Sequence, residues 1–113
     1  MELNEYQQKA MTTCMPSSNN FSYMFLNLVG EVGEFASKVA KAIRKEENFI
    51  DDNDLANAID DAELQKEAGD IFWQLSGLCT VMGWSLEDVA QQNLDKLASR
   101  KQRNVIDGNG DNR

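Results

Sequence analysis

The chain has 113 residues, 42% of them apolar, with one proline, seven glycines and a formal charge of −8. That length holds one domain with a modest core, and the composition excludes a disordered or fibrous chain. The negative balance excludes a sequence-independent grip on a nucleic-acid backbone, which needs clustered Lys and Arg, so no nucleic-acid polymer is expected as a partner.

The charge is unevenly placed. From Glu46 to Glu63 there are eight acidic residues and no basic one, while the rest of the chain is balanced at 11 of each sign. Cys14 and Cys79 are too few and too far apart for a disulfide framework and are expected to be reduced thiols. The start MELNEYQQKAM lacks a basic, apolar leader, and no run reaches the length of a membrane span. The expectation is a cytoplasmic protein with no membrane partner.

Four helices are legible in chain order. The first spans about Glu2 to Cys14 and is closed by Met15, Pro16 and the polar run SSNN. The second runs from about Asn20 to Glu46. The acidic connection 46–63 leads into the third, from about Asp61 to Met82, with Gly83 as its stop. Ser85, with Asp88 three places on, resembles a capping box and opens the fourth, which runs to about Asn104. The tail, 105–113, is rich in turn residues. The fold class expected is all-α, a four-helix bundle-like single domain over 1–113. Its helices are amphipathic enough to imply packing between subunits as a homodimer or homotetramer.

At about 100° per residue, the second helix shows one apolar stripe through Phe25, Leu28, Val29, Val32, Phe35, Ala36, Val39 and Ile43. Asn27, Glu31, Glu34 and Lys38 lie beside it. The third helix carries Leu64, Ala68, Ile71, Phe72, Leu75, Leu78, Cys79 and Met82 on its core face, flanked by Glu67, Asp70 and Gln74. Residues three apart on a helix are neighbours, so Glu31 with Glu34, and Glu67 with Asp70, each converge on one point. Four carboxylates facing one another repel by about 4 kcal/mol per pair at 4 Å and an effective dielectric near 20. A divalent cation removes that conflict. All-oxygen ligation in a chain without histidine suits a hard ion, Mg²⁺ or else Mn²⁺.

The fourth helix places Asn93 in the middle of an apolar face made by Leu86, Val89, Ala90, Leu94 and Leu97. Lys96 and Arg100 form a basic edge suited to phosphate oxygens. Trp73 lies almost opposite the core face of the third helix, where it either packs on another helix or subunit or stacks on a nucleobase. Gly30 and Gly33 interrupt the second helix beside the carboxylates. This position suggests close approach of a neighbouring helix or a substrate.

The runs LVGEVGEF, KEAGDIFWQL and NLDKLASRKQR together resemble the MazG-type all-α nucleoside triphosphate pyrophosphohydrolases. The pattern there is roughly EExxE, a variable insert, ExxD and a later NxxK. This chain supplies Glu31 and Glu34, then Glu67 and Asp70, then Asn93 and Lys96, with Gly30 standing where the first glutamate of EExxE would be. Small stand-alone members often read GExGE. The departure leaves two carboxylates on that helix and the number of metal ions open.

The resemblance implies Mg²⁺-dependent hydrolysis of a nucleoside triphosphate, ribo- or deoxyribo-, between its α and β phosphates to monophosphate and pyrophosphate, as in nucleotide-pool cleansing. Glu31, Glu34, Glu67 and Asp70 would hold metal, one glutamate acting instead as general base. Asn93, Lys96, Arg100, Trp73 and Arg113 of the terminal GNGDNR would meet the substrate. Two rivals stand beside it. One is an acidic helical interaction module using Glu46–Glu63. The other is an EF-hand-like loop with Asp52, Asp54 and Glu63 at positions 1, 3 and 12, weakened by Ala56 and Asn57 at positions 5 and 6.

Overall fold

The computed structural model describes residues 1–45 and 61–113. Among them are four α-helices and no strand: α1 (Leu3–Met11), α2 (Phe21–Lys45), α3 (Asp61–Val81) and α4 (Leu86–Gln102), with a short 3₁₀ turn at Pro16–Ser18. The all-α expectation holds. Most of the acidic connection, including Asp52 and Asp54 of the EF-hand-like reading, lies outside the described residues.

Local chemistry sets the helix ends. α1 stops at Met11, earlier than the expected Cys14, because the hydroxyls of Thr12 and Thr13 donate to the carbonyls of Lys9 (2.6 Å) and Ala10 (2.7 Å). Such side-chain bonds compete with a further helical turn. Asn20 caps α2 by accepting the amide of Tyr23 at 2.9 Å. α3 ends in a Schellman motif: Gly83 adopts φ 73°, its amide donates to Thr80 O (3.1 Å), and Trp84 N reaches Cys79 O at 2.8 Å. Ser85 caps α4 by accepting the amide of Asp88 at 3.2 Å.

α3 is the central helix, in contact with the other three. α1 is fastened across the corner between α3 and α4 by two amides. Asn4 Oδ1 accepts from Ser85 Oγ (2.7 Å) and Glu87 N (3.2 Å). Gln7 accepts the amide of Leu86 at 2.8 Å and donates to Thr80 Oγ1 (3.0 Å) and Trp84 O (2.9 Å). Tyr6 and Phe72 add a tilted ring pair with centroids 4.7 Å apart.

The seam between α2 and α3 follows a seven-residue step on both helices, the spacing that keeps one face against an antiparallel neighbour. Met24 covers Gly77, Glu31 meets Asp70 and Glu67, and Lys38 meets Glu67 and Glu63. Met24, with no exposed surface, fills the space that Gly77 leaves: a Cβ there would lie 2.4 Å from Met24 Sδ.

This seam displaces the expected inward stripe of α2, of which only Leu28, Phe35 and Val39 are half-buried. Phe25, Val29, Val32 and Ile43 remain 47%, 58%, 48% and 51% exposed, while Glu31 and Lys38 turn inward. The most apolar stripe lies about a quarter-turn round the helix from the seam. In α3 most of the expected face is covered, but Ala68 and Met82 are exposed, and Gln74, Ser76 and Gly77 are buried instead because three helices surround that stretch. In α4, Leu86 is buried, whereas Leu94 and Leu97 are exposed. Asn93 is exposed as well, so its amide needs no core partner.

Candidate metal centre

Midway along the seam, carboxylate oxygens from Glu31, Glu67 and Asp70 lie within 4.8 Å of one another. Glu31 Oε2 and Glu67 Oε2 are both buried without a hydrogen-bond partner. A buried carboxylate oxygen without a donor is costly. The Glu31 carboxyl is accordingly pushed above the ordinary carboxylate range, first by burial and then by the charges of Glu34, Asp70 and Glu67. Three carboxylates converging on one point, two of which also carry a desolvated and unpaired oxygen, form a donor set that fits a hard divalent cation.

Glu34 is exposed and outside this three-residue group. It stands close enough to Glu31 for the two carboxyls to share a hydrogen bond when one is protonated. The chain thus gathers three of the four expected carboxylates tightly and keeps the fourth at the edge.

Two further groups join the site. The Lys38 ammonium donates to Glu67 Oε1 at 2.8 Å and lies 3.4 Å from Glu63 Oε2. Glu67 first, opposed by partial burial, raises the lysine above its usual range. From α1, the Tyr6 hydroxyl is held above its usual range by burial and then by the Asp70 charge. The seven-residue step from Glu31 to Lys38 was available in the sequence as a signal. Nothing local announced Tyr6, which reaches the site through the packing of α1 on α3.

The residues expected to meet substrate are distributed differently. Asn93 and Lys96, with Val89 and Gln92, line an open cavity of about 300 Å³ on α4. Lys96 pairs with Asp111 Oδ1 at 3.1 Å. Arg100 is 5% exposed and lies under the tail, donating to Asp111 Oδ1 (3.2 Å), Asp111 O (3.3 Å) and Gly110 O (3.4 Å). These bonds run to the tail and not to the carboxylate group.

Arg113 turns back on its own segment and donates to the carbonyls of Val105, Ile106 and Gly110, while Arg103 Nη2 holds Arg113 O at 2.6 Å. The terminal GNGDNR is therefore a folded loop on the end of α4. Trp73 is half-buried and its indole N–H donates to Ala10 O (3.1 Å) and Thr13 Oγ1 (3.0 Å), pinning the end of α1. Nothing among the described residues comes within 4 Å of the space beside Gly33, and only Asn27 Oδ1 approaches Gly30, at 3.7 Å. Among the described residues, no other helix uses these glycines for close approach.

Residues 19–105 match the family model of the MazG nucleotide pyrophosphohydrolase domain. The chain belongs to the MazG family. The matched span contains α2, α3 and α4, and with them all of the clustered carboxylates and the Asn93–Lys96 cavity. The chain is also similar to the Gene 37 protein of Mycobacterium phage L5, 39% identical over 120 residues covering 100% of both proteins. That name states no activity. No solved structure matches the chain significantly. Membership in MazG places the protein among nucleotide pyrophosphohydrolases, and no described helix is long and apolar enough to cross a membrane.

Proposed function

We propose that this MazG protein is a Mg²⁺-dependent nucleoside triphosphate pyrophosphohydrolase that cleaves a ribo- or deoxyribonucleoside triphosphate between the α and β phosphates, clearing unwanted nucleotides from the pool. The observation that carries this reading is the convergence of Glu31, Glu67 and Asp70, with two desolvated and unpartnered carboxylate oxygens, in the seam of a chain of this family. A bound Mg²⁺ supplies neutralisation of phosphate charge and a more acidic water.

The chain's own residues would do the rest. Glu31, Glu67 and Asp70 hold the ion. Glu34, at the solvent edge and beside Glu31, takes the proton as water adds and the α–β anhydride breaks. Asn93 and Lys96 line the cavity that would receive phosphate oxygens, with Lys96 as a point charge. Arg100 and Arg113 hold the tail that borders Lys96, and Trp73 supports the site through α1 rather than through the base.

Assembly is part of the proposal. Phe21 and Phe25 stack on the exposed side of α2, and with Val29, Val32 and Ile43 they form an apolar surface that no other helix among the described residues covers. A second copy, in a homodimer or a pair of dimers, would bury it. The two unpaired cysteines fit a reducing cytoplasm.

The test is product analysis with a panel of nucleoside triphosphates and Mg²⁺. Equimolar monophosphate and pyrophosphate support the reading. Release of inorganic phosphate with diphosphate, or no turnover on any triphosphate, would contradict it.

A further inference from the structure

Lys38 is an unexpected cation in a group built to receive one. It sits one seven-residue step beyond Glu31 on the inner face of α2, and its ammonium lies 2.8 Å from Glu67 Oε1. The other oxygen of Glu67 is buried and unpartnered, and the Glu67 side chain is only 13% exposed. The two oxygens of one carboxylate are thus divided: one is held by lysine and the other is left with its lone pairs unused.

We propose that Lys38 is a positioning residue of the metal centre. It fixes the Glu67 carboxylate so that Oε2 is the oxygen offered to the cation. The inference rests on the metal reading above and concerns a residue that does not itself bind metal or substrate.

Two physical effects of Lys38 oppose each other, which makes the idea testable. As a charge, lysine repels an incoming dication, and its removal would tighten binding. As a donor, it locks a ligand that otherwise turns freely, and removing such a partner of a ligating group typically weakens metal binding by about 10–100-fold. A lysine suits this task better than an arginine, because the planar guanidinium fork takes both oxygens of a carboxylate while an ammonium takes one. Lys38 also reaches Glu63 at 3.4 Å, on the far side from Glu31 and one helical turn earlier than Glu67. That second contact steadies the lysine without touching the clustered oxygens.

The experiment is calorimetric titration of Mg²⁺ into the native protein and into Lys38→Met, Lys38→Gln and Glu63→Gln, with far-UV circular dichroism and metal-free melting on each. Positioning predicts that Lys38→Met weakens Mg²⁺ binding about 10–100-fold. Lys38→Gln, which keeps a neutral donor, loses less, and Glu63→Gln stays within about threefold of native. Unchanged or tighter binding in Lys38→Met overturns the proposal and leaves the metal centre standing. Absence of Mg²⁺ binding by the native protein overturns the metal reading, and this inference with it. Should Lys38→Met not fold, Lys38→Gln against Glu63→Gln decides the question by the same ordering.

Discussion

Substituting Gly77 by alanine tests the packing that brings the carboxylates together. The added methyl would lie 2.4 Å from Met24 Sδ and 2.6 Å from Met24 Cε, where 3.4–4 Å is ordinary contact. Met24 is fully enclosed, so its flexible thioether has no free space to swing into. Overpacking of this kind costs about 1–3 kcal/mol, and alanine returns about 1 kcal/mol over glycine in helix propensity. The net expectation is a loss of about 0–2 kcal/mol. The diagnostic step is the second background. Met24→Ala alone should cost about 2–5 kcal/mol through its cavity. In that background Gly77→Ala no longer meets the thioether, and it should stabilise by about 1 kcal/mol from propensity and partial filling of the space. Urea unfolding of the four proteins, followed by circular dichroism at one protein concentration, reads the cycle. A Gly77→Ala effect of the same size and sign in both backgrounds would refute the account of the seam.

Trp73→Phe removes two hydrogen bonds to the end of α1 and should cost about 1–2 kcal/mol in urea unfolding. Unchanged stability with a raised KM would instead assign the indole to the base. Glu31 binds its proton more tightly folded than unfolded, so the metal-free protein loses stability as pH rises from the ordinary carboxylate range through the raised value. Glu31→Gln should therefore melt higher than the native protein at neutral pH without metal, with the advantage fading as pH falls into that range. A variant that melts lower at neutral pH would contradict this. Asp111→Asn frees Lys96 from its partner in the tail. The KM for triphosphate should fall by a factor of roughly 2–5, the scale of one exposed ion pair. A rise in KM would mean that the tail carboxylate orients the lysine instead of occupying it.

The helices were legible because their punctuation is local. Asn20, Gly83 and Ser85 act through bonds within a few residues, and the structure places the starts of α2 and α4 and the end of α3 as those residues suggest. Pairing of carboxylates at a three-residue step was also local, and it marked Glu31, Glu67 and Asp70 before any fold was known. What escaped was the orientation of α2. Ranking faces by apolarity points Phe25, Val29 and Val32 inward, but these three are exposed among the described residues, and the seam with α3 runs through Met24, Glu31 and Lys38. A helix whose buried seam carries Glu31 and Lys38 cannot be oriented by hydrophobicity alone. The roles of Tyr6 and Arg100 were hidden for a related reason, since each depends on a segment distant in sequence folding over it.

The central claim is that the seam carboxylates form a metal centre that hydrolyses a triphosphate. Its most direct test is pyrophosphate release against Mg²⁺ concentration for the native protein and Asp70→Asn, both checked for folding. The account predicts saturable, Mg²⁺-dependent release of pyrophosphate by the native protein and a loss of at least about 100-fold in the variant, the scale seen when a group stabilising the transition state is removed. Equal release by a folded Asp70→Asn, or release that ignores Mg²⁺, would contradict it.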